Sequence, residues 1–254
     1  MPAGTERAGS GVPTPASRSA IGHDGRVTAF PPPAPPVPDP LAFDAVLFDM
    51  DGTLVDSEPV WFAALREVMP AFGGDLPADA HAAIHGSDRP TTTRLLRDRY
   101  GLTGDAEAFW ARVVERLTVG LAGARAMPNA GAWVEAVAGA GRPRAVVSNS
   151  PRAMVEAALA PHGWARHLQL RLANEDVPRG KPHPDGYLLA AARLGVAPDR
   201  CLVVEDSVAG ARAAVAAGAA CLFVTNGMVD PAHARAITPH VVAALPPIAA
   251  AAGA

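Results

Sequence analysis

Lysine is almost missing from this chain: of 22 basic residues, Lys181 alone is not arginine. Together with the richness in Ala, Gly and Pro, this suggests a GC-rich bacterial genome that spells most positive charges as Arg. A lysine that survives that bias stands either by chance or where a compact ammonium serves and a guanidinium does not. Cysteine is nearly as scarce. Cys201 and Cys221 each open an apolar, strand-like run, which reads as a small buried hydrophobe rather than a disulfide or a metal pair. No apolar run approaches the ~20 residues that a membrane helix requires. The N-terminus lacks the apolar stretch of a signal peptide, so the expected location is cytoplasmic. The formal net charge is −3 and no basic stripe is evident, which argues against a nucleic-acid partner. The 254 residues, about half of them apolar (49%), suffice for one mid-sized domain and a smaller one.

What is present is ordered along the chain. Residues 1–40 are rich in Pro, Gly and Ser and show no hydrophobic period, which predicts a disordered arm without a catalytic role. The folded part begins near Leu41, and its first strand is expected over Phe43 to Phe48. From Pro59 to about Gly123 the pattern turns helical: Val60, Ala64, Leu65 and Val68 share one face, and Thr93 to Tyr100 and Ala106 to Leu121 follow. Strands and helices then alternate. Strands are expected at Ala145 to Val147, around Leu168 to Ala173, at Cys201 to Val204 and at Ala220 to Val224. Helices are expected at Ala130 to Gly139, Pro151 to Ala160, Pro184 to Leu194 and Ser207 to Ala217. The tail beyond Val241 offers one more short strand. Such alternation predicts an α/β fold with a parallel sheet and right-handed crossovers. The helical block after the first strand reads as an inserted domain at 59–123, leaving 41–58 and 124–254 as the sheet domain.

Four polar clusters fall at strand ends, where open α/β sheets place their ligands. Asp49 and Asp51 end the first strand, and Gly52 turns the chain after them. Ser148-Asn149-Ser150 follows Ala145 to Val147. Lys181 stands in Gly180-Lys181-Pro182-His183-Pro184-Asp185, and Glu205-Asp206 follows Cys201 to Val204. Two acids at the end of a buried strand are costly to desolvate unless a positive group meets them, and a divalent cation with a phosphate is the obvious candidate. Each cluster alone has a plainer reading. Asp-x-Asp-Gly also opens calcium loops, but those carry Gly at the sixth position after a helix, and here it is fourth after a strand. Ser148-Asn149-Ser150 also suits a turn with a helix cap, and Glu205-Asp206-Ser207 suits first-turn acids with an N-cap. Four such clusters in sequence carry more weight than any one of them.

In order and interval, the four clusters resemble the motifs of the haloacid dehalogenase superfamily, in the subgroup whose helical cap follows the first motif. The resemblance spans nearly everything after residue 43. It implies a Rossmann-like core with a parallel sheet flanked by helices, and a small all-α cap. It also implies that Asp49 is the nucleophile and Asp51 the general acid/base. Asp49, Asp206 and the Asp51 carbonyl would hold Mg²⁺, with Glu205 binding directly or through water. Gly52, Ser148, Asn149 and Lys181 would serve the phosphate, and the cap loop from His85 to Arg89 would set specificity. Dehalogenases lack the second acid that Asp51 supplies. Phosphonatases and β-phosphoglucomutases use a cap lysine that is absent here. Asp-Ser-Glu-Pro-x-Trp at Asp56 to Trp61 looks like the sugar-phosphate and sugar-alcohol-phosphate phosphatases. The expectation is a Mg²⁺-dependent phosphatase of small phosphorylated metabolites, acting as a monomer or weak dimer. A phosphomutase, a phosphoglycolate-type phosphatase and a catalytically silent phosphate-binding protein are the alternatives.

Overall fold

The computed structural model describes residues 36–84 and 89–248, together with two short strands in the arm. Those two, β1 (Ser19–Ile21) and β2 (Val27–Ala29), pair antiparallel where the sequence reading expects no regular structure. From Pro36 onward the chain forms one compact unit. Its centre is a six-stranded, wholly parallel sheet of β3 (Ala45–Phe48), β6 (Arg144–Val147), β7 (Leu170–Leu172), β8 (Cys201–Glu205), β9 (Ala220–Val224) and β10 (His240–Val242). The spatial order is β10-β9-β8-β3-β6-β7. The chain leaves β3 toward β6 and β7, then returns past it to β8, so the direction of winding reverses beside β3. Such a switch point opens a crevice at the carboxyl ends of the strands.

The strands are short and mostly apolar because both faces of the sheet are covered. Their residues divide with the period of two. Val46, Phe48, Val146, Leu202 and Val204 feed one buried cluster, which also holds Val134 of α5 (Ala130–Gly139) and Val155 of α6 (Arg152–Leu159). Ala45, Leu47, Val147, Cys201, Val203 and Phe223 feed the other, against α7 (Asp185–Leu194) and α8 (Val208–Ala216). Both cysteines are free and buried. The first strand starts two residues later than expected. Phe43 closes a 3₁₀ turn over Pro40–Ala42, and Asp44 pairs with Arg142 and Arg200 at the surface.

A two-residue antiparallel pair, β4 (Val55–Asp56) with β5 (Arg125–Ala126), closes the base of the helical insertion. Between them run α1 (Glu58–Val68), α2 (His81–Ile84), α3 (Arg89–Tyr100) and α4 (Ala106–Leu121). Leu65, Phe109, Val113 and Leu117 continue the apolar cluster of the first sheet face, and α4 packs on both α1 and α6. The insertion therefore lies over the edge of the sheet that carries the polar strand ends. A short helix, α9 (Pro231–Arg235), precedes the last strand. No helix among the described residues is long and apolar enough to cross a membrane.

Candidate active site

Parallel register brings three strand ends to one level. Phe48 pairs with Val146 on one side and Val204 on the other, so Asp49 stands level with Val147 and Glu205. The Asp49 N–H donates to the Val204 carbonyl at 2.9 Å, which fixes its backbone to β8. The Lys181 ammonium sits over all three ends. It donates to Asp49 Oδ1 at 2.5 Å, to Glu205 Oε1 at 2.6 Å and to the Val147 carbonyl at 2.8 Å. An ammonium has three protons, and all three are engaged. The Lys181 side chain is 7% exposed and that of Glu205 is fully buried. The position of the single lysine argues against chance. A compact point charge with three rotatable donors fits this threefold junction, whereas a planar guanidinium does not.

Asn149 holds the lysine loop in place. Its Oδ1 accepts from the Lys181 N–H at 2.8 Å, and its Nδ2 donates to the Lys181 carbonyl at 3.1 Å. The side-chain amide that the sequence reading assigned to phosphate oxygens is thus engaged in bracing the loop. Gly180 allows this approach, since a Cβ there would stand 2.6 Å from Asn149 Oδ1. Asp51 lies on the other side of the rim. Its Oδ2 accepts from Ser150 Oγ at 2.9 Å and from Ser148 Oγ at 3.3 Å, while Ser148 Oγ also accepts from the Ser150 N–H. Gly52 takes a left-handed backbone (φ 74°), and a Cβ on it would meet Asp206 Oδ2 at 1.9 Å, so this turn requires glycine on both counts.

Both oxygens of the Glu205 carboxylate are engaged. Its Oε1 accepts from Lys181 and from Tyr187 Oη at 2.7 Å. Its Oε2 accepts from the Asp206 and Ser207 N–H groups at 3.1 Å and from Ser207 Oγ at 3.0 Å. Asp49, Glu205 and Asp206 offer ligand atoms within 4.8 Å of one another. Yet both Glu205 oxygens are taken by donors, whereas the Asp206 carboxylate accepts no hydrogen bond among the described residues. Asp49 and Asp206 are therefore the acids open to a cation. Ser207 has the plainer role foreseen for it, capping α8 by accepting from the Gly210 N–H at 3.0 Å.

The electrostatics are those of a site short of positive charge. Burial pushes the Asp49 carboxyl up to about 8, with the Glu205 and Asp51 charges adding to it and Lys181 opposing. Burial also raises Asp206 well above the usual carboxylate range, followed by repulsion from Asp49 and Glu205. Two carboxylates 4 Å apart repel by about 4 kcal/mol at an effective dielectric of 20. A hard divalent cation suits this all-oxygen donor set, and Mg²⁺ is the ion that tolerates one or two carboxylates with several waters. The residues present fit that ion.

A cavity of about 150 Å³ joins Asp49, Asp51, Ser148, Lys181 and Asp206. Asp51 and Ser150 also line a larger cleft of about 500 Å³ under the insertion, walled by Trp61, Trp110, Leu117 and Met154. Arg89 stands at this cleft, with its guanidinium 5.2 Å from the Trp110 ring centre and 2.9 Å from Glu107. His85 to Asp88 lie outside the described residues. The sequence reading missed Ser150 as a partner of Asp51, Tyr187 as a donor to Glu205, and Asn226, whose Nδ2 donates to the Gly52 carbonyl at 2.6 Å. One signal was available: Gly210 interrupts a helical run, and a Cβ there would fall 1.7 Å from Glu205 Oε1.

Residues 43–218 match the haloacid dehalogenase-like hydrolase family. The chain belongs to that family. Among curated relatives, hexitol phosphatase A of Escherichia coli is 36% identical over 187 residues, covering 68% of this chain and 78% of the relative. A bifunctional riboflavin kinase/FMN phosphatase of Arabidopsis thaliana is 31% identical over 182 residues, 71% of this chain. This hydrolase spans about half of that longer protein (48%). A solved haloacid dehalogenase family hydrolase from Deinococcus radiodurans, with bound phosphate and sodium, is 31% identical with a TM-score of 0.65, covering 80% of this chain and 91% of its own.

Proposed function

We propose that this hydrolase is a Mg²⁺-dependent phosphatase of small phosphorylated metabolites, sugar and sugar-alcohol phosphates foremost, acting through a phosphoryl-aspartate. One observation carries the reading: Asp49, Lys181 and Asp206 meet in a single cavity that shares Asp51, Asn149 and Ser150 with the cleft under the insertion. Relatives named as phosphatases of phosphorylated carbohydrates, of fructose 1-phosphate and of hexitol phosphates support the substrate class.

Asp49 and Asp206 would hold the ion, which when bound supplies positive charge against the transferring phosphoryl group. The chain's own residues supply the rest. Lys181 keeps one oxygen of Asp49 occupied, which aims the other toward phosphorus and lowers the cost of bringing an anion beside it. Asp49 attacks in line, forming its bond to phosphorus as the ester oxygen leaves. Asp51, held by Ser148 and Ser150 at the mouth of the cleft, gives its proton to the departing alkoxide. It then takes a proton from the water that attacks the phosphoryl-aspartate, and inorganic phosphate leaves with Asp49 restored. The cleft holds the alcohol half, with Trp61 and Trp110 offering apolar faces.

Release of inorganic phosphate from a panel of phosphorylated metabolites, with and without Mg²⁺, tests the reading. Asp49→Asn should lose activity by roughly 10³-fold or more while remaining folded. Wild-type turnover in that variant removes Asp49 as nucleophile, and conversion of a sugar phosphate without phosphate release makes the protein a mutase instead.

A further inference from the structure

Tyr187 lies outside all four strand-end clusters, on α7, yet its hydroxyl reaches the centre of the site. It is 1% exposed, and its Oη donates to Glu205 Oε1, the same oxygen that accepts from Lys181. The Lys181 ammonium also lies 5.1 Å from the centre of the Tyr187 ring, within cation–π range. Tyr187 therefore contacts the lysine twice, once through its ring and once through Glu205. Glu205 in turn grips the turn that carries Asp206 through three donors on its other oxygen. Gly210 leaves the space that the Glu205 carboxylate fills, since a Cβ there would overlap both of its oxygens at 1.7 and 2.3 Å.

We propose that Tyr187 is a positioning residue for phosphoryl transfer: by holding Glu205 Oε1 between its hydroxyl and Lys181, it fixes the ammonium against Asp49. This rests on the phosphatase reading above and adds to it a residue from outside the strand-end clusters. Without the hydroxyl, Glu205 keeps Lys181 and the three donors on Oε2 but loses the second donor on Oε1, so that oxygen is held by the lysine alone. The ammonium then follows Glu205 and no longer holds a single place beside Asp49. The effect falls on the chemical step, because the alcohol half of the substrate binds elsewhere, in the cleft.

The chain's single lysine provides a direct probe. Full-length protein labelled with ¹³C-lysine gives one side-chain Cε–Hε signal, which belongs to Lys181. Tyr187→Phe keeps the ring and removes only the hydroxyl. It should displace that signal and lower kcat about 10-fold, the scale of a hydrogen bond to a charged group, with KM for the best substrate within about twofold. Gly210→Ala, whose Cβ would overlap the Glu205 carboxylate, should displace the same signal and lower kcat in the same manner. It serves if Tyr187→Phe does not fold. A folded Tyr187→Phe with an unmoved lysine signal and unchanged kcat overturns the inference while leaving the phosphatase reading intact. A loss that vanishes once corrected for the folded fraction also overturns it, since that is a purely structural role. Wild-type protein without Mg²⁺-dependent phosphate release overturns both.

Discussion

At the floor of the site Lys181 is 7% exposed and tied to three strand ends, whereas at the cleft Arg89 is 50% exposed and tied to a Glu107 that is itself 83% exposed. The floor is built from backbone register and buried ion pairs. The cleft wall is built from side chains of separate helices, and two tryptophans carry much of it. On the proposed function, the difference separates two tasks. Phosphoryl transfer asks for charges held within tenths of an ångström, and buried, fully bonded groups provide that. Choice among alcohols asks for a surface that can vary, and apolar faces with half-exposed charges provide that.

Breaking the floor should have the largest consequence. Lys181→Met removes one partner from a buried cluster and leaves Asp49 and Glu205 without a counter-charge. Turnover should collapse, and stability measured by urea unfolding should fall by about 3–5 kcal/mol at pH 8. The loss should be smaller at pH 5, where Asp49 takes up a proton. A variant equally stable at both pH values would mean that the three groups do not act as a unit.

The next effect sharpens the electrostatic half of the contrast. Asp49 is raised in the fold from 3.8 to about 8, so between those values the folded state holds more protons than the unfolded one. Its contribution to metal-free stability is fully present at the acid end and is lost as pH rises toward 8. With EDTA the Tm should therefore decline across that window. Mg²⁺ should raise the Tm more at pH 8 than at pH 5.5, each ~1 kcal/mol appearing as about 2–4 °C. An equal or greater gain at pH 5.5 would sink this account.

On the cleft side the effects should be milder. Trp61→Ala should raise KM for the preferred metabolite roughly 10-fold, as expected for lost apolar contact in a pocket. Turnover of acetyl phosphate, which has no bulky alcohol half, should stay within about twofold; equal losses on both substrates would place Trp61 in the chemistry rather than in recognition. Arg89→Ala should be the smallest change, within about 0.5 kcal/mol in stability because its ion pair is exposed. Comparison of kcat/KM across the panel decides its role, and an unaltered ranking takes Arg89 out of substrate choice.

The same contrast explains what was legible in the sequence. Asp49, Ser148 and Asp206 follow apolar runs closely enough that reading those runs as strands put them at strand ends, and the parallel register brings those ends level. Lys181 was legible through rarity. Partner choice was not, because it is settled through space. Apart from Gly210, nothing in the sequence around Glu205 says that its oxygens will be filled by Lys181, by α7 and by its own turn. Tyr187 reads as one more large residue on the buried face of a helix, and only the sheet register puts its hydroxyl under the site. Asn149 carries an amide suited to phosphate and uses it on the lysine loop instead. The β4–β5 pair at the base of the insertion is two residues long, too short to show a period.

A protein whose one lysine is sealed inside its own machinery presents no side-chain amine to its surroundings. Amine-directed crosslinkers, biotinylation reagents and enzymatic acylation would find no lysine on its exterior. Where such chemistry did reach Lys181, it would report that the interior had opened.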